Sequence, residues 1–284
     1  MTTLNGIIAL DIDGTVTIQK HHLEARVADF LHELAENGWQ LLFITGRTFS
    51  FAKPILSSLK GEFYLAVQNG ATLFSMPSEK VLKKHTISAK SLPYLEQIFA
   101  KREGGFLVES GKERGDICYY KPADFAPKEL EYLNFRIGLS PENWTPLDSF
   151  EEYPFPDFSV GKYFAPEKEA YQIAEEIQQI PGFGFSVVVI RDPFNPGEYL
   201  AHVNELKGTK EGALAEFIPL FPEGLPVIVA GDDYNDEKML AEGDIAIVME
   251  DAPDALKSIA HIIAPPAKEE GIIPALREAI QRVV

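Results

Sequence analysis

The chain has 284 residues, of which 45% are hydrophobic and 24% are charged, so it is long enough for two domains and has a globular composition. Its formal net charge of -17 argues against nonspecific binding to nucleic acid or to an anionic membrane, because both need a basic surface. A single cysteine, Cys118, excludes an intrachain disulfide, and no stretch approaches the ~18 apolar residues of a membrane span, so we expect a cytoplasmic protein.

The first predicted strand ends in two carboxylates. It is the apolar run GIIAL, and the motif DIDGT with Asp11 and Asp13 follows it. Residues two apart in an extended chain point to the same side, so both carboxylates can face one site at the carboxyl end of the strand. Two such charges repel unless a cation lies between them or one binds a proton. The pair indicates bound Mg²⁺ or acid–base chemistry, although a polar Asp-Gly turn also explains it.

A helix and a second strand follow. Residues 22–37 repeat apolar side chains at helical spacing, and Gly38 ends the pattern. The strand WQLLFI then leads to Thr45, Gly46 and Arg47. A hydroxyl beside a residue without a Cβ lets an anion approach backbone N–H groups, and the next helix N-terminus adds partial positive charge. This segment is an anion-binding turn or a simple strand-to-helix turn with a surface arginine.

The middle of the chain differs from both ends. Glycine and proline are frequent there, and helix and strand patterns are less regular. The stretches LPYLEQIFA and EKEAYQIAEEIQQI have helical spacing, while ICYYK, FSVGKYF, FSVVVI and YLAHV have strand character. We therefore predict an α+β domain at residues 83–204, inserted between the two halves, 1–82 and 205–284, of a parallel-sheet domain.

Two lysines and a third polar strand end come after the insertion. Lys207 and Lys210 lie near the start of a predicted helix, in ELKGTKEGAL, where a lysine can neutralise a phosphate or simply be solvated at the surface. The strand LPVIVA runs into GDDYND, which contains the four polar residues Asp232, Asp233, Asn235 and Asp236. Their side-chain oxygens are the ligands that Mg²⁺ prefers. Capping of the following helix explains one or two of these residues, but hardly the whole set.

Taken in order, these motifs resemble those of the haloacid dehalogenase (HAD) superfamily of phosphohydrolases. DIDGT matches its DxDGT signature, ITGR resembles its second motif, Lys210 before EGAL its third, and GDDYNDEKML the GDxxNDxxML form of its fourth. VQNGA and the long insertion resemble the Cof-like subfamily (type IIB) with its C2B cap. The resemblance implies an α/β fold: a Rossmann-like core with a parallel sheet flanked by helices, and an inserted α+β cap that sets substrate specificity.

The resemblance also implies a role for each motif residue. Asp11 would attack phosphorus to form an aspartyl-phosphate, and Asp13 would protonate the leaving group and then activate water. The catalytic set comprises Asp11, Asp13, Thr45 and Lys210. The residues expected to bind the phosphoryl group are Asp11, Thr45, Gly46, Lys210 and Asn235, and those expected to hold Mg²⁺ are Asp11, Asp13, Asp232 and Asp236. Candidate substrate contacts are Arg47, Lys162 and Arg191.

These assignments predict a Mg²⁺-dependent phosphatase, a phosphoric monoester hydrolase, that acts on a small phosphorylated metabolite, first of all a sugar phosphate. A phosphosugar mutase on the same fold would pass the phosphoryl group to another sugar hydroxyl. A noncatalytic sensor would only bind a phosphorylated ligand, but clustered acidic residues disfavour simple anion binding. Asp251, where the subfamily often has asparagine, leaves one contact near the metal or phosphate open. No pattern predicts the oligomeric state.

Overall fold

The computed structural model describes residues 4–18, 22–100, 102, 104–140, 142–192, 195 and 197–283. The chain forms two compact units. The first comprises Met1–Arg47, Ala52–Lys84 and Lys210–Val284, and the second comprises Thr48–Phe51 and His85–Thr209. Whether residues 83–204 fold as a domain of their own, inserted between 1–82 and 205–284, stays a prediction.

The elements of the described residues are numbered in chain order. The strands are β1 Gly6–Leu10, β2 Trp39–Ile44, β3 Phe63–Val67, β4 Thr72–Met76, β5 Lys80–Lys84, β6 Ile87–Ser88, β7 Phe106–Glu109, β8 Cys118–Tyr120, β9 Trp144–Pro146, β10 Asp157–Phe158, β11 Val160–Ala165, β12 Phe185–Arg191, β13 Tyr199–Glu205, β14 Val227–Gly231, β15 Ile245–Met249 and β16 Ile262–Ala264. The helices are α1 Ala25–Glu36, α2 Phe49–Ala52, α3 Leu92–Phe99, α4 Pro127–Leu139, α5 Glu167–Gln178, α6 Lys210–Phe217, α7 Glu237–Ala241, α8 Asp254–Lys257 and α9 Ile272–Val283.

The first unit is built on an eight-stranded sheet of order β16-β15-β14-β1-β2-β3-β4-β5. Strands β16 to β3 run parallel to their neighbours, and β4 and β5 extend the sheet with antiparallel pairing. All five residues of β1 are buried, because helices cover both faces of a parallel sheet. The carboxyl ends of β1, β2 and β14 meet at one edge, so the turns after these strands come together.

Helices cover the sheet of the first unit on both sides. On one face, Leu214 and Phe217 of α6 and Met239 of α7 pack with Ile7 and Ala9 of β1. Residues that alternate with these along the strands point to the opposite face, where α1 contacts β2 and α9 contacts β14 and β15. This unit is therefore the predicted α/β core, with a mostly parallel sheet flanked by helices.

The second unit is built on a six-stranded sheet of order β12-β13-β11-β7-β8-β9. Its pairs are antiparallel except for β8 with β9. One face packs against α3 and α5, with Phe106 and Tyr163 of the sheet in contact with the cluster that contains Leu95 and Ile173. Helix α4 packs on the opposite face through Leu133. The unit has the α+β character predicted for the cap.

Helix α4 was not predicted from the sequence. With 13 residues it is the longest helix that the described ranges contain.

None of the helices in these ranges combines the length and the apolar character that a membrane span needs.

Candidate active site

Three strand ends of the first unit carry the predicted site residues. Asp11 directly follows β1, and its N–H donates to the carbonyl of Ala230 in β14 at 3.0 Å. Thr45 directly follows β2, and its N–H donates to the carbonyl of Ala66 in β3 at 3.0 Å. Asp232 directly follows β14. Sheet hydrogen bonds therefore continue into the first two of these turns and hold Asp11 and Thr45 in position.

Lys210 links two of the predicted carboxylates. It is the first residue of α6, and its Nζ donates to Asp11 Oδ1 at 2.5 Å and to Asp236 Oδ1 at 2.6 Å. All three residues are buried. Burial alone would lower the pKa of Lys210, but the two carboxylates outweigh it and raise that pKa above its ordinary range. The lysine is therefore a fixed positive charge in the site.

Three carboxylates crowd together beside this lysine. Asp11, Asp232 and Asp236 each offer an oxygen within 4.8 Å of the other two. Burial raises the pKa of Asp11 to about 7, with Asp236 and Asp13 adding to the rise and Lys210 opposing it. Burial also raises the pKa of Asp232 well above its usual range, helped by Asp11 and Asp236. The neighbouring carboxylates thus make Asp11 and Asp232 harder to ionise.

This donor set fits a divalent cation. When all three carboxylates are ionised, they exceed the single lysine by two negative charges. Hard oxygen ligands of this kind suit Mg²⁺. The carboxylates are also held in place: Thr15 Oγ1 donates to Asp232 Oδ1 at 2.9 Å, and the N–H groups of Asp232 and Asp233 donate to Asp236 Oδ2 at 3.1 Å each.

Gly14 allows the first and third polar strand ends to approach. Its φ is +84°, in the left-handed region, and a Cβ at this position would lie 2.3 Å from Asp232 Oδ2. Any other residue would be strained and would push the Asp232 carboxylate away. The glycine of DIDGT is therefore required for two reasons: the left-handed backbone conformation and the close approach of the Asp232 carboxylate.

The carboxylate of Asp13 lies in different surroundings from that of Asp11. Its side chain is 49% exposed and pairs with Arg47, whose Nε donates to Oδ2 at 2.7 Å and whose Nη2 donates to Oδ1. The two aspartates of DIDGT therefore have separate cationic partners. Arg47, predicted to contact substrate, is the partner of the exposed one.

Thr45 and Asn235 are connected through a residue that the sequence analysis did not single out. The carbonyl of Thr45 accepts from the N–H of Asn69 at 2.8 Å. The side-chain Oγ1 of Thr45 accepts from the N–H of Arg47 at 3.2 Å. Asn235 Nδ2 donates to Asn69 Oδ1 at 3.4 Å. Asn69 and Gln68 both have positive φ, and the Gln68 N–H donates to the Arg47 carbonyl at 2.8 Å. The sequence signal that points to Asn69 is VQNGA, in which an Asn-Gly pair, typical of a turn, follows a predicted strand.

Lys162 and Arg191, the other predicted substrate contacts, belong to the second unit and are not brought together. Lys162 is buried in β11, where its Nζ donates to Glu109 Oε1 at 2.5 Å. Arg191 is exposed at the end of β12, with its Nε donating to Tyr199 Oη at 3.3 Å. Lys162 is opposite His202 of β13, and His202 is opposite Val188 of β12. Arg191 comes three residues after Val188, which is roughly 10 Å further along β12.

Comparison with known proteins agrees with this arrangement. The signature of the haloacid dehalogenase-like hydrolases matches residues 8–276. Pyridoxal phosphate phosphatase YbhA of Escherichia coli (strain K12) is 24% identical over 264 residues, covering 90% of this chain and 92% of that protein. Phosphatase YwpJ of Bacillus subtilis (strain 168) is 22% identical over 291 residues, covering 94% and 96%.

A solved structure shares the fold over the whole chain. The HAD subclass IIB sugar phosphatase BT4131 superposes with a TM-score of 0.75 at 18% identity, covering 98% of this chain and 100% of that one. The likeness includes both the parallel-sheet unit and the α+β unit. With the family signature spanning most of its length, the chain belongs to the haloacid dehalogenase-like hydrolases, as a Cof-like member.

Proposed function

We propose that this chain is a Mg²⁺-dependent phosphatase that hydrolyses a small phosphorylated metabolite through an aspartyl-phosphate on Asp11. Its class is that of the phosphoric monoester hydrolases, because relatives aligned over about nine-tenths of their length are named phosphatases. The observation that carries the proposal is the buried contact of Lys210 with Asp11 and Asp236, next to Asp232. We expect the enzyme to act in the cytoplasm.

The first chemical step is assigned to Asp11. Lys210 holds Oδ1 of its carboxylate, and we assign the attack on phosphorus to Oδ2. As the bond between Oδ2 and phosphorus forms, the bond from phosphorus to the leaving oxygen breaks. Asp13 gives its proton to that oxygen, which departs as an alcohol. The half-exposed position of Asp13 suits exchange of protons with the leaving group and with water.

The second step removes the phosphoryl group from Asp11. Asp13, now a carboxylate, takes a proton from a water molecule, whose oxygen attacks phosphorus. The bond between phosphorus and Oδ2 breaks, so that inorganic phosphate leaves and the Asp11 carboxylate is restored. Arg47 keeps the Asp13 carboxylate oriented between the two steps through its two hydrogen bonds.

Cationic and hydrogen-bonding groups would stabilise the transferring phosphoryl group. Lys210 is a buried positive charge beside the attacking carboxylate, and Thr45, Gly46 and Asn235 lie in the turns at the same sheet edge. Mg²⁺, held by Asp11, Asp232, Asp236 and the backbone carbonyl of Asp13, would offset the crowded carboxylates and neutralise phosphoryl charge. Preorganised charge of this kind accounts for much of the rate enhancement in phosphoryl transfer.

A sugar phosphate is the first candidate substrate. The neighbour BT4131 is named a sugar phosphatase, whereas the relative YbhA is named for pyridoxal phosphate. Because these leaving groups differ, the two names together support only a small phosphorylated metabolite. We propose that the second unit, as the predicted cap, determines which of them is accepted.

The test is phosphate release from purified protein with a panel of sugar phosphates, nucleotides, pyridoxal phosphate and an aryl phosphate, in Mg²⁺ and in EDTA. We expect release in Mg²⁺ and its loss in EDTA and in Asp11→Asn. The matched control is Glu237→Gln, an exposed carboxylate one residue after Asp236. Unchanged release from Asp11→Asn would contradict the mechanism, and transfer to a second sugar without phosphate release would identify a mutase.

A further inference from the structure

The loop that joins β3 to β4 in the first unit has an uncommon backbone conformation. Val67 is opposite Thr72 in this hairpin, so the loop comprises residues 68–71. Gln68 and Asn69 have φ values of +55° and +61°, in the left-handed region, and both residues are buried. Glycine adopts this conformation freely, whereas a residue with a side chain is strained in it. Strain of this kind is concentrated at functional sites, so the two side chains call for a reason.

The backbone of the loop is fixed to the turn that follows β2. Because β3 runs parallel to β2, the loop and this turn lie at the same edge of the sheet. The N–H of Asn69 donates to the carbonyl of Thr45 at 2.8 Å. The N–H of Gln68 donates to the carbonyl of Arg47, also at 2.8 Å. These two carbonyls flank Gly46, so the loop holds the backbone on both sides of this predicted phosphoryl-binding residue.

The side chain of Asn69 reaches the turn that follows β14. Its Oδ1 accepts from Nδ2 of Asn235 at 3.4 Å. A carboxamide nitrogen carries two hydrogens, so one N–H of Asn235 points to Asn69 and the other points elsewhere. Asn235 is half-buried, which leaves its carboxamide open to a ligand. It directly precedes Asp236, whose Oδ1 accepts from Lys210.

The loop therefore connects segments that the sheet itself does not pair. β1 lies between β2 and β14, so no strand pairing joins the turns that follow β2 and β14. Residues 68–70 contact α6, the helix that begins with Lys210, and α6 also contacts residues 234–236. The Thr45 turn, the start of α6 and the Asn235 turn thus all touch this loop or its side chains.

We propose that Asn69 is a positioning residue that turns the second N–H of the Asn235 carboxamide toward the phosphoryl group. The inference rests on the proposed phosphatase function and adds a residue to it. A donor that is oriented before the substrate binds stabilises charge on phosphoryl oxygens without reorganising during the reaction. Asparagine suits position 69 because it tolerates a left-handed backbone better than most residues and also offers a side-chain acceptor.

The test is a double-mutant cycle of Asn69→Gly and Asn235→Ala, measured as kcat/KM for p-nitrophenyl phosphate in saturating Mg²⁺. Glycine keeps the left-handed backbone and the N–H that donates to Thr45, so Asn69→Gly removes only the side chain. We expect Asn235→Ala to lower kcat/KM about a hundredfold and Asn69→Gly to lower it about tenfold. The double variant should match Asn235→Ala within about twofold, because Asn69 acts through Asn235. A merely structural role would give additive losses, about a thousandfold in the double variant.

The matched control is Glu79→Gly, in the turn between β4 and β5. Glu79 has a φ of +56°, but β4 runs antiparallel to β3, so this turn lies at the opposite edge of the sheet. Glu79→Gly should keep the kcat/KM of wild type. A similar loss in Glu79→Gly, no loss in Asn69→Gly, or additive losses in the cycle would overturn the proposal.

Binding of inorganic phosphate separates this proposal from the proposed function. Calorimetry in Mg²⁺ should find a Kd for phosphate that is raised in Asn69→Gly and in Asn235→Ala, and raised no further in the double variant. If wild type releases no phosphate from any substrate, the phosphatase assignment fails, and an equal Kd in wild type and Asn69→Gly would then overturn the positioning role as well. Circular dichroism checks the fold of each variant. If Asn69→Gly does not fold, Asn69→Ser replaces it with the same expected results, because the shorter side chain falls short of Asn235.

Discussion

Asp11 and Asp13 are two residues apart, yet their carboxylates face different chemical surroundings. Asp11 is buried against Lys210, while Asp13 is half-exposed and paired with Arg47. A buried carboxylate oriented by a lysine suits a nucleophile, and a carboxylate open to water suits a group that gives and takes protons. Environment, rather than residue type, divides the roles that we propose for them.

Gly14 provides a prediction at the scale of one residue. In Gly14→Ala the new Cβ would meet Asp232 Oδ2, so we expect loss of turnover and of Mg²⁺ affinity measured by calorimetry. The control is Gly61→Ala, because Gly61 has nearly the same φ, +81°, but nothing within 4 Å of its Cβ position. Both variants should lose about 1–2 kcal/mol of folding free energy from the left-handed backbone. Full activity in Gly14→Ala would contradict the proposed role of the close approach.

The chemistry of single residues was predictable where it follows a strand, and less so elsewhere. Asp11, Thr45 and Asp232 each directly follow a buried strand, and parallel strands end at one edge. Asp116 and Glu142 meet Ser50 and Thr48 across 66 and 94 residues of sequence. No local sequence pattern predicts such hydrogen bonds, because they depend on the positions of the loops in the folded chain.

At the scale of elements, buried strands were easier to predict than helices. β1 and β14 are apolar throughout because helices cover both faces of their sheet. Helix α4 escaped prediction because the exposed apolar residues Phe135 and Leu139 obscure the apolar stripe around Leu133 that packs on the sheet. For α1, Gly38 with φ +84° marks the predicted end, but the helix begins at Ala25 rather than at residue 22.

Helix α1 provides a prediction about stability alone. Leu31 is fully buried, so Leu31→Ala should lower the free energy of unfolding by about 2–5 kcal/mol, measured by urea denaturation. Asp29→Ala, at an exposed position of the same helix, should change it by less than about 0.5 kcal/mol. We expect kcat to stay unchanged in both variants, since α1 is a packing element. A specific loss of kcat in folded Leu31→Ala would show that α1 does more.

At the scale of the whole molecule, the acidic cluster links metal binding, stability and pH. The pKa of Asp11 rises from 3.8 to about 7 on folding, so the folded chain binds more protons than the unfolded chain between these values. This contribution stabilises the metal-free protein at low pH and is lost as pH rises through about 7. Mg²⁺ replaces the protons, so its effect should grow in the same interval.

The corresponding prediction concerns thermal unfolding with Mg²⁺ and with EDTA. At about pH 8, Mg²⁺ at a hundredfold excess over its Kd should raise the free energy of unfolding by about 2.7 kcal/mol, which is seen as an increase in Tm. The same Mg²⁺ concentration should raise Tm by less at about pH 5. The Asp232→Asn variant should lose most of the gain at the higher pH, while Glu237→Gln should keep it. An equal gain at both pH values, or none in wild type, would rule out this coupling.

The most direct test of the account is to identify the phosphorylated residue. Asp13→Asn should still transfer the phosphoryl group from p-nitrophenyl phosphate, whose leaving group needs no protonation, but it should hydrolyse the product slowly. Mass spectrometry of the acid-quenched, digested variant should then find one phosphoryl group on the peptide that contains Asp11. A phosphoryl group on another residue, or turnover in wild type with no covalent intermediate in either protein, would contradict the assignment of Asp11 as the nucleophile.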